Sequence, residues 1–426
     1  MKKYFVLISL TLLTQVCAEQ LSLDKVSNLD LKLSDVRSLV IKNLSEIRNS
    51  EIRIQQTEAT KDLRVSRFKT QGDISAGYEN LFDSSDAYSF GFDEDEDERM
   101  NTSLKISQYL YGFGRKKWAL EEGLAEVNLS RVQNAMIIRD LSFKARLNYW
   151  NYIFEQAGLE IANERLQLSQ EEEQDTESLF EAGTLSRVDV LQTKVTKMQS
   201  LNTSRSQKSR LHESMIELAS SIGLVNDTIK SSDALDPPQH MEKLLVQVKT
   251  LLDKSLEIAL LEADSNVSQT KIEQVKSEYA PELYGLASAG VTGPHTDDLE
   301  DGWLVGVTLN WKILDGNQRN SRRLYQAKNI LANQFSVKAE IRERTRIYLQ
   351  LETQWDSLAE QIFNEKQALA FAEENYTIAR EQYQAGLLTL LQVSDVNLQL
   401  VESRYRLLSI IYQMQVLREN LLYLKQ

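Results

Sequence analysis

Two segments of the chain that lie 203 residues apart repeat one unusual pattern. FEAGTLSRVDVLQ occupies residues 180–192 and YQAGLLTLLQVSD occupies residues 383–395. Each places Ala-Gly inside a long helical pattern, where a glycine costs about 1 kcal/mol relative to alanine. A glycine just past a helix end is instead favourable, because it adopts the left-handed conformation that closes the helix. We therefore predict that Gly183 and Gly386 each end one long helix and precede a returning helix.

The similarity between the halves extends beyond these glycines and indicates an internal duplication. QYLYGFGR at 108–115 aligns with NWKILDGNQ at 310–318 at the same offset of 203 residues. NLSEIRNSEI at 43–52 aligns with KSLEIALLEA at 254–263 at an offset of 211 residues. Internal repeats of this kind determine the whole architecture of a chain. Each half is therefore predicted to contain a helix, a variable insertion and a long helical hairpin with its tip at Ala-Gly.

The duplication also sets the predicted domain boundaries. A signal peptide at 1–18 precedes a first repeat at 19–230, a linker at 231–240 and a second repeat at 241–426. The insertions fall at 72–110 and 281–311, and the hairpin tips fall at 182–186 and 385–389.

Both insertions are predicted to be β-hairpins, with strands at 72–81, 101–110, 281–290 and 303–311 and a Gly-Pro turn at 293–294. In WLVGVTLNW (303–311) the large apolar residues alternate with small or polar ones. Strands of this length cross a bilayer when tilted. Trp303 and Trp311 at the strand ends suit a membrane aromatic girdle, although a small soluble sheet remains an alternative. Four strands cannot close a barrel, so the membrane interpretation requires several chains to pool their strands.

The N-terminus has the layout of a secretory signal. Lys2 and Lys3 precede a short apolar run, and cleavage is expected after Ala18. A lipoprotein signal that uses Cys17 is the alternative, although the three residues before it form a poor lipobox. Cleavage after Ala18 would remove the only cysteine of the chain.

Composition excludes several classes of function. The formal net charge of −13 argues against nucleic acid as a partner, because no basic stripe could neutralise phosphates. The three histidines, His212, His240 and His295, are scattered, and the sequence has no phosphate-binding loop or nucleophile elbow. We therefore predict a protein that is not an enzyme and that binds no cofactor and no metal.

Long helices dominate the remaining sequence. Residues 115–181 lack proline and would span roughly 100 Å as one helix, which places both tips at the same end of the molecule, far from the strands. The last helix, predicted over 387–424, carries two adjacent heptad stripes. One comprises Leu391, Leu398, Val401, Tyr405, Leu408, Tyr412 and Leu422; the other comprises Leu390, Val393, Leu400, Leu407, Ile411, Met414 and Leu421. Two stripes indicate a neighbouring helix on each side, as in a wall of coiled-coil helices, with a four-helix bundle as the alternative.

In its order of elements and motifs, the chain resembles the TolC family of outer-membrane export ducts. The most specific motifs are the two Ala-Gly segments and WKILDGNQR, which is similar to the family's aromatic-x-Leu-Phe-Asp-Gly-Gly-Arg. QYLYGFGRKKW fits the family's Gln-Pro-Leu-Tyr pattern with Tyr109 in place of proline. The resemblance covers nearly all of the chain after the signal peptide.

This resemblance implies a mainly α-helical fold with a small β part, built from internally duplicated long helical hairpins. Three chains would form a homotrimer in outer-membrane lipid and pool twelve strands into one β-barrel, continuous with a helical tunnel through the periplasm. The tips would meet a periplasmic adaptor (membrane fusion) protein that links the duct to an inner-membrane transporter of RND, ABC or MFS type. Drugs and toxic small molecules are the expected cargo. Type I protein secretion is the alternative, and a pore-less periplasmic coiled-coil scaffold is the alternative from another class.

The resemblance also assigns residues at the periplasmic mouth. Asp395 matches an aspartate of the constriction, and Gln392 stands one turn earlier where the family has a second aspartate. Asp189 and Tyr383 match two members of a polar network, whose expected arginine is Leu388 here. We therefore expect a weak cation ring and a gate held by apolar packing of Leu387, Leu388 and Leu390. Helix capping is the alternative role for Asp189 and Asp395. The expected adaptor-docking tips are Ala182, Gly183, Thr184, Leu185, Ala385, Gly386, Leu387 and Leu388.

The longer first insertion contains FDEDEDER, with six consecutive acids at 93–98. A run of like charges is typical of a solvated loop. A weak Ca²⁺ or Mg²⁺ site is the alternative, but the run lacks the ligand spacing of a defined calcium loop.

Overall fold

The computed structural model describes residues 29–80, 98–224, 229–293 and 299–426. The predicted signal peptide with Cys17, the proline of the Gly-Pro turn, His295 and the acidic loop up to residue 97 lie outside the described residues. The described part contains eight helices and six strands. In chain order they are β1 (Leu29–Asp30), α1 (Leu33–Asn43), α2 (Ser45–Ser66), β2 (Gln71–Asn80), β3 (Glu98–Tyr111), α3 (Arg115–Glu181), α4 (Arg187–Ser221), β4 (Ile229–Lys230), α5 (Met241–Lys249), α6 (Leu256–Ser277), β5 (Glu282–Gly293), β6 (Glu300–Asn310), α7 (Gln318–Gln384) and α8 (Leu390–Lys425).

The element boundaries repeat the two offsets found in the sequence. Helices α2 and α6 each have 22 residues and begin 211 residues apart, whereas α3 and α7 each have 67 residues and begin 203 residues apart. The helix expected at the start of each half is a pair in the structure, α1 with α2 and α5 with α6. The last helix begins at Leu390 rather than at residue 387, because Thr389 acts as its cap. Within the described ranges, none of the helices is long and apolar enough to cross a membrane.

The chain forms two compact units, and each of them combines segments of both repeats. The first unit contains residues up to 44 together with 144–237 and 360–416, and the second contains 45–143, 238–359 and 417–426. The long helices contribute to both units, so the compact units do not follow the boundaries of the sequence repeats.

The second unit contains one antiparallel four-stranded sheet in the order β2-β3-β5-β6. The two predicted hairpins are present, and the pairing of β3 with β5 joins them. The register places Ile74 opposite Leu104 and Ala289 opposite Trp303, so the large apolar side chains of all strands share one face. The other face is mostly small and polar, and Ser75 and Ser103 hydrogen-bond across it at 2.8 Å.

Two arginines hold the junction between this sheet and the helices of the second unit. Arg115 begins α3 and donates to the carbonyls of Ser277, Glu278 and Ala280. Arg319 in the first turn of α7 also donates to the Glu278 carbonyl, at 2.9 Å. Both cations therefore lie at the C-terminal end of α6, where the helix dipole favours positive charge.

Tyr109 also lies at this junction, and it is the residue that replaces the proline of the resembling family. Its buried ring makes edge contacts with Phe68 at 4.7 Å and with Tyr284 at 5.4 Å. Gly112 faces it, since a Cβ at that position would lie 1.9 Å from the Tyr109 hydroxyl.

The first unit anchors the linker between the repeats. Strands β1 and β4 form a short parallel pair, and the Tyr152 hydroxyl donates to the Ile229 carbonyl at 3.0 Å. The buried Tyr149 hydroxyl hydrogen-bonds Asp233 and lies 2.8 Å from the Ser231 hydroxyl. Burial raises the pKa of Tyr149, and its hydrogen bond to Asp233 raises it further.

The buried seam of α4 is polar, at a spacing of seven residues. Its buried polar residues are Thr193, Ser200, Gln207 and Ser214. Ser200 lies 2.8 Å from Ser169 of α3, hydroxyl to hydroxyl, and the Thr193 hydroxyl donates to the Val190 carbonyl of its own helix. Several apolar residues of α4 are consequently left on an exposed face: Val188, Leu191, Val195 and Met198.

Candidate functional site

The two hairpin tips have the same backbone structure. Gly183 and Gly386 have φ of 77° and 75°, in the left-handed region that favours glycine. The Gly183 amide donates to the Phe180 carbonyl and the Thr184 amide to the Leu179 carbonyl. The Gly386 and Leu387 amides make the equivalent bonds to Tyr383 and Gln382. This hydrogen-bond pattern closes α3 and α7, as the Ala-Gly pattern predicts.

The returning helices α4 and α8 begin with equivalent caps. Ser186 and Asp189 form a reciprocal capping box, in which the Ser186 amide donates to the Asp189 carboxylate at 3.0 Å. In the second tip, the Thr389 amide donates to the Gln392 side chain at 2.9 Å. Asp189 and Gln392 therefore occupy the same third position of their helices. The sequence carries a signal for both caps, since a hydroxyl residue followed three positions later by an acid or amide is typical of a helix start.

The predicted constriction residues are only partly brought together. Asp189 is partly buried and bonded within its own cap, whereas Tyr383 lies on α7 beside a cavity. Within the described residues, the buried Tyr383 hydroxyl has no hydrogen-bond partner. Asp395 is exposed on α8, one turn after Gln392. Leu390, expected to contribute to an apolar gate, packs inside its own chain instead and is buried.

The docking residues expected at the tips are largely exposed, and the two tips differ in one position. Thr184 follows Gly183, and its hydroxyl donates to the Leu179 carbonyl at 2.7 Å. Leu387 follows Gly386 and is 76% exposed. An apolar residue at this position commonly packs on the residue five positions earlier. That residue is the polar Gln382, so the hairpin itself gives Leu387 no apolar partner at this position.

Replacing Gly386 by alanine is expected to strain the second tip. No described atom lies within 4 Å of a Cβ added there, so the penalty comes from the left-handed backbone and is about 1 kcal/mol. We expect amide hydrogen exchange at residues 384–392 to become about fivefold faster. Gly72→Ala is the control, because Gly72 has equally open surroundings without a positive φ. Equal exchange rates in the wild type and the Gly386 variant would contradict the prediction.

The sheet of the second unit presents an apolar face to its surroundings. Its exposed large apolar residues are Ile74, Tyr78, Leu104, Ile106, Trp303, Val305, Val307 and Leu309. Trp303 is 81% exposed near the start of β6. Trp311 lies one residue after β6 and donates its indole N–H to the Tyr279 carbonyl at 3.0 Å. The two tryptophans therefore mark the two ends of the apolar face, as predicted for a girdle.

No described group of three or more His, Cys, Asp or Glu side chains is arranged to hold a metal ion. The described polar clusters are hydrogen-bonded parts of the helices and their junctions.

A sequence profile described as "Outer membrane efflux protein" matches residues 36–224 and 248–424. The chain belongs to the outer membrane efflux protein family. This membership confirms the predicted family, the outer-membrane location and the absence of enzymatic function. It also establishes the general role of an outer-membrane efflux duct, and it argues against the pore-less scaffold.

Solved structures of similar fold cover almost the whole chain. CusC has 17% identity and a TM-score of 0.73, over 93% of this chain and 92% of its own. VceC from Vibrio cholerae has 14% identity and a TM-score of 0.73, over 92% and 95%. The CmeC outer membrane channel of Campylobacter jejuni has 12% identity and a TM-score of 0.73, over 95% and 90%. These likenesses confirm the mainly helical fold with its small sheet. No curated protein sequence matches the chain.

Proposed function

We propose that three copies of this chain form the exit duct of a tripartite export system. The duct passively conducts drugs and other toxic small molecules, which it receives from an inner-membrane pump through a periplasmic adaptor. The observation that carries this proposal is the open four-stranded sheet with one exposed apolar face.

Among the described strands, β2 and β6 each pair on one side only. An unpaired strand edge in a bilayer leaves backbone groups unsatisfied, at several kcal/mol for each group. Further copies of the chain satisfy both edges when β6 of one copy pairs with β2 of the next. Three copies supply twelve strands, with the apolar faces toward lipid and the small, polar faces toward the lumen.

Exposed apolar residues on the helices support the same assembly. In α8 the stripe that begins at Leu390 is largely buried in the chain, whereas Leu391 and Leu398 of the other stripe are exposed. Helix α7 carries exposed large apolar residues along most of its length: Leu324, Tyr325, Leu331, Phe335, Leu349, Phe363, Phe371 and Ile378. Contiguous apolar surface of this kind marks an interface with another protein surface. Neighbouring copies of the chain are the partners that would cover it.

The proposal is tested by single-channel recording on the purified oligomer in a planar lipid bilayer, with the mass measured on the same sample. Discrete conductance steps from a trimer are expected. A water-soluble protein without conductance would contradict the duct. Drug accumulation in cells that lack the chain then separates small-molecule efflux from protein secretion, because only efflux of drugs lowers their accumulation.

Leu387→Asp is expected to raise drug accumulation in cells at least tenfold by weakening the contact with the adaptor. Burial of a leucine side chain contributes about 2 kcal/mol to an interface, and the duct presents three copies. Leu387→Thr introduces the residue of the first tip and serves as the milder comparison. Trimer abundance in the membrane is measured alongside. Unchanged accumulation in the Asp variant at normal trimer abundance would show that Leu387 makes no docking contact.

A further inference from the structure

A polar contact joins three helices of the first unit beside the tips. Glu172 of α3 accepts a hydrogen bond from the Asn397 side chain of α8, at 3.1 Å. Arg380 of α7 lies next to this contact and reaches Glu171 at 3.6 Å. Glu172 and Asn397 are 225 residues apart in the chain. The contact therefore ties the first helical hairpin, α3 with α4, to the second, α7 with α8.

A small cavity of about 20 Å³ adjoins the contact. It is lined by all three helices, and Glu172, Tyr383 and Leu390 are among its lining residues. A cavity of this size is large enough for one water molecule. Tyr383 and Leu390 connect the cavity to the closing turn of α7 and to the first turn of α8.

Hydrogen bonding in this contact is incomplete. Asn397 is 6% exposed, and within the described residues its side-chain oxygen has no hydrogen-bond partner. The Tyr383 hydroxyl is in the same situation. A partly satisfied polar contact in a low-dielectric setting is sensitive to charge, because little compensates for an ionised group.

Both signs of charge face Glu172, but burial dominates. Helix α3 contributes Arg165, Glu171 and Asp175, and helix α7 contributes Arg380 with the hydroxyls of Tyr376 and Tyr383. Helix α8 contributes the uncharged Asn397. Lys197 of α4 is bound to Glu173. Burial raises the pKa of Glu172, against the lowering effects of the Asn397 hydrogen bond and the two arginines.

We propose that Glu172 and Asn397 form a proton-controlled latch, which holds the second hairpin against α3 when Glu172 is protonated and releases it when Glu172 is ionised. The latch rests on the proposed duct, because its effect is to control how readily the periplasmic mouth opens. Movement of the α7–α8 tip away from α3 has to separate these two side chains.

The direction of the pH effect follows from burial. The pKa of Glu172 is raised in the packed contact, whereas a solvated glutamate has its ordinary value. The stabilising effect of the contact is therefore complete at pH values below the ordinary glutamate range and is lost as the pH rises through the raised value. Each unit of pKa difference between the closed and open arrangements changes the opening equilibrium about tenfold.

Single-channel recording of the purified trimer from about pH 4 to about pH 9 tests the latch across the range in which a glutamate of raised pKa titrates. The open probability of the wild type is expected to rise with pH. Glu172→Gln keeps the hydrogen bond to Asn397 without a charge, so it is expected to remain at the low acid value throughout. Glu177→Gln is the matched control, because Glu177 lies on the same helix, is exposed and pairs with Lys194 inside the first hairpin. It is expected to keep the wild-type profile.

Asn397→Asp provides a second, opposite change. A carboxylate facing Glu172 repels it once both are ionised, so we expect a higher open probability than in the wild type at neutral pH. A Glu172→Gln profile that matches the wild type would overturn the latch and leave the duct intact. A wild-type trimer without conductance steps would overturn the duct together with the latch.

Discussion

Replacing Val307 by arginine is expected to abolish conductance by preventing insertion of the sheet. Val307 lies in the middle of β6 on the apolar face, opposite Gly285, and is 65% exposed in the single chain. An arginine on the lipid face near the bilayer midplane costs about 2–4 kcal/mol. A trimer carries this cost three times, so the inserted form should be lost. The fraction of heat-labile trimer in outer-membrane extracts and the conductance of any purified oligomer measure the effect.

Thr308→Arg is the matched control for this change. Thr308 is the next residue of β6 and lies on the polar face, opposite Tyr284. An arginine there would face the aqueous lumen, so trimer yield should remain near that of the wild type while the conductance changes modestly. Equal loss of trimer in both variants would contradict the assignment of the apolar face to lipid.

Arg319→Ala is expected to destabilise the junction between sheet and helices. Arg319 is 4% exposed, and its guanidinium donates to Asp315 at 2.6 Å and to the carbonyls of Glu278 and Ile313. The same group lies 4.3 Å from the centre of the Tyr279 ring. A hydrogen bond from a charged donor contributes about 1.5–3 kcal/mol, so the loss of the two bonds to carbonyls should lower the free energy of unfolding by at least 3 kcal/mol. Thermal unfolding of the purified trimer, followed by circular dichroism, measures the loss.

Arg323→Ala separates the junction from a general effect of charge. Arg323 lies one turn later on α7, is exposed and donates to the Asn320 side chain at 3.0 Å. Surface substitutions of this kind change the free energy of unfolding by about 0.5 kcal/mol or less. A similar unfolding temperature for both variants would show that Arg319 has no special role at the junction.

The sequence determined most of the local structure because that structure depends on neighbouring residues. The offsets of 203 and 211 residues, read from short matching segments, recur in the boundaries of α2, α3, α6 and α7. The alternation in residues 303–311 predicted a strand and the face that it exposes. The Ala-Gly pairs predicted where the long helices close, because only glycine adopts that backbone conformation without strain.

The caps were also encoded locally, although the family pattern suggested a different role for their residues. Asp189 and Gln392 each bond to a hydroxyl residue three positions earlier. Their contribution to the constriction of a trimer stays a prediction, as does that of Asp395. Leu388 replaces the arginine of the family pattern, and Arg380 approaches Glu171 of α3 elsewhere in the first unit.

Only the tertiary structure decided which distant segments meet. The pairing of β3 with β5 makes one sheet of two hairpins, and the hydrogen bond between Glu172 and Asn397 joins α3 to α8 across 225 residues. Heptad spacing fixes which residues of a helix share a stripe, but it leaves open which neighbour each stripe contacts. The sequence by itself therefore determined the elements, their order and the family. Packing decided the partners, because a side chain's neighbours across the fold leave no periodic signal in its own segment.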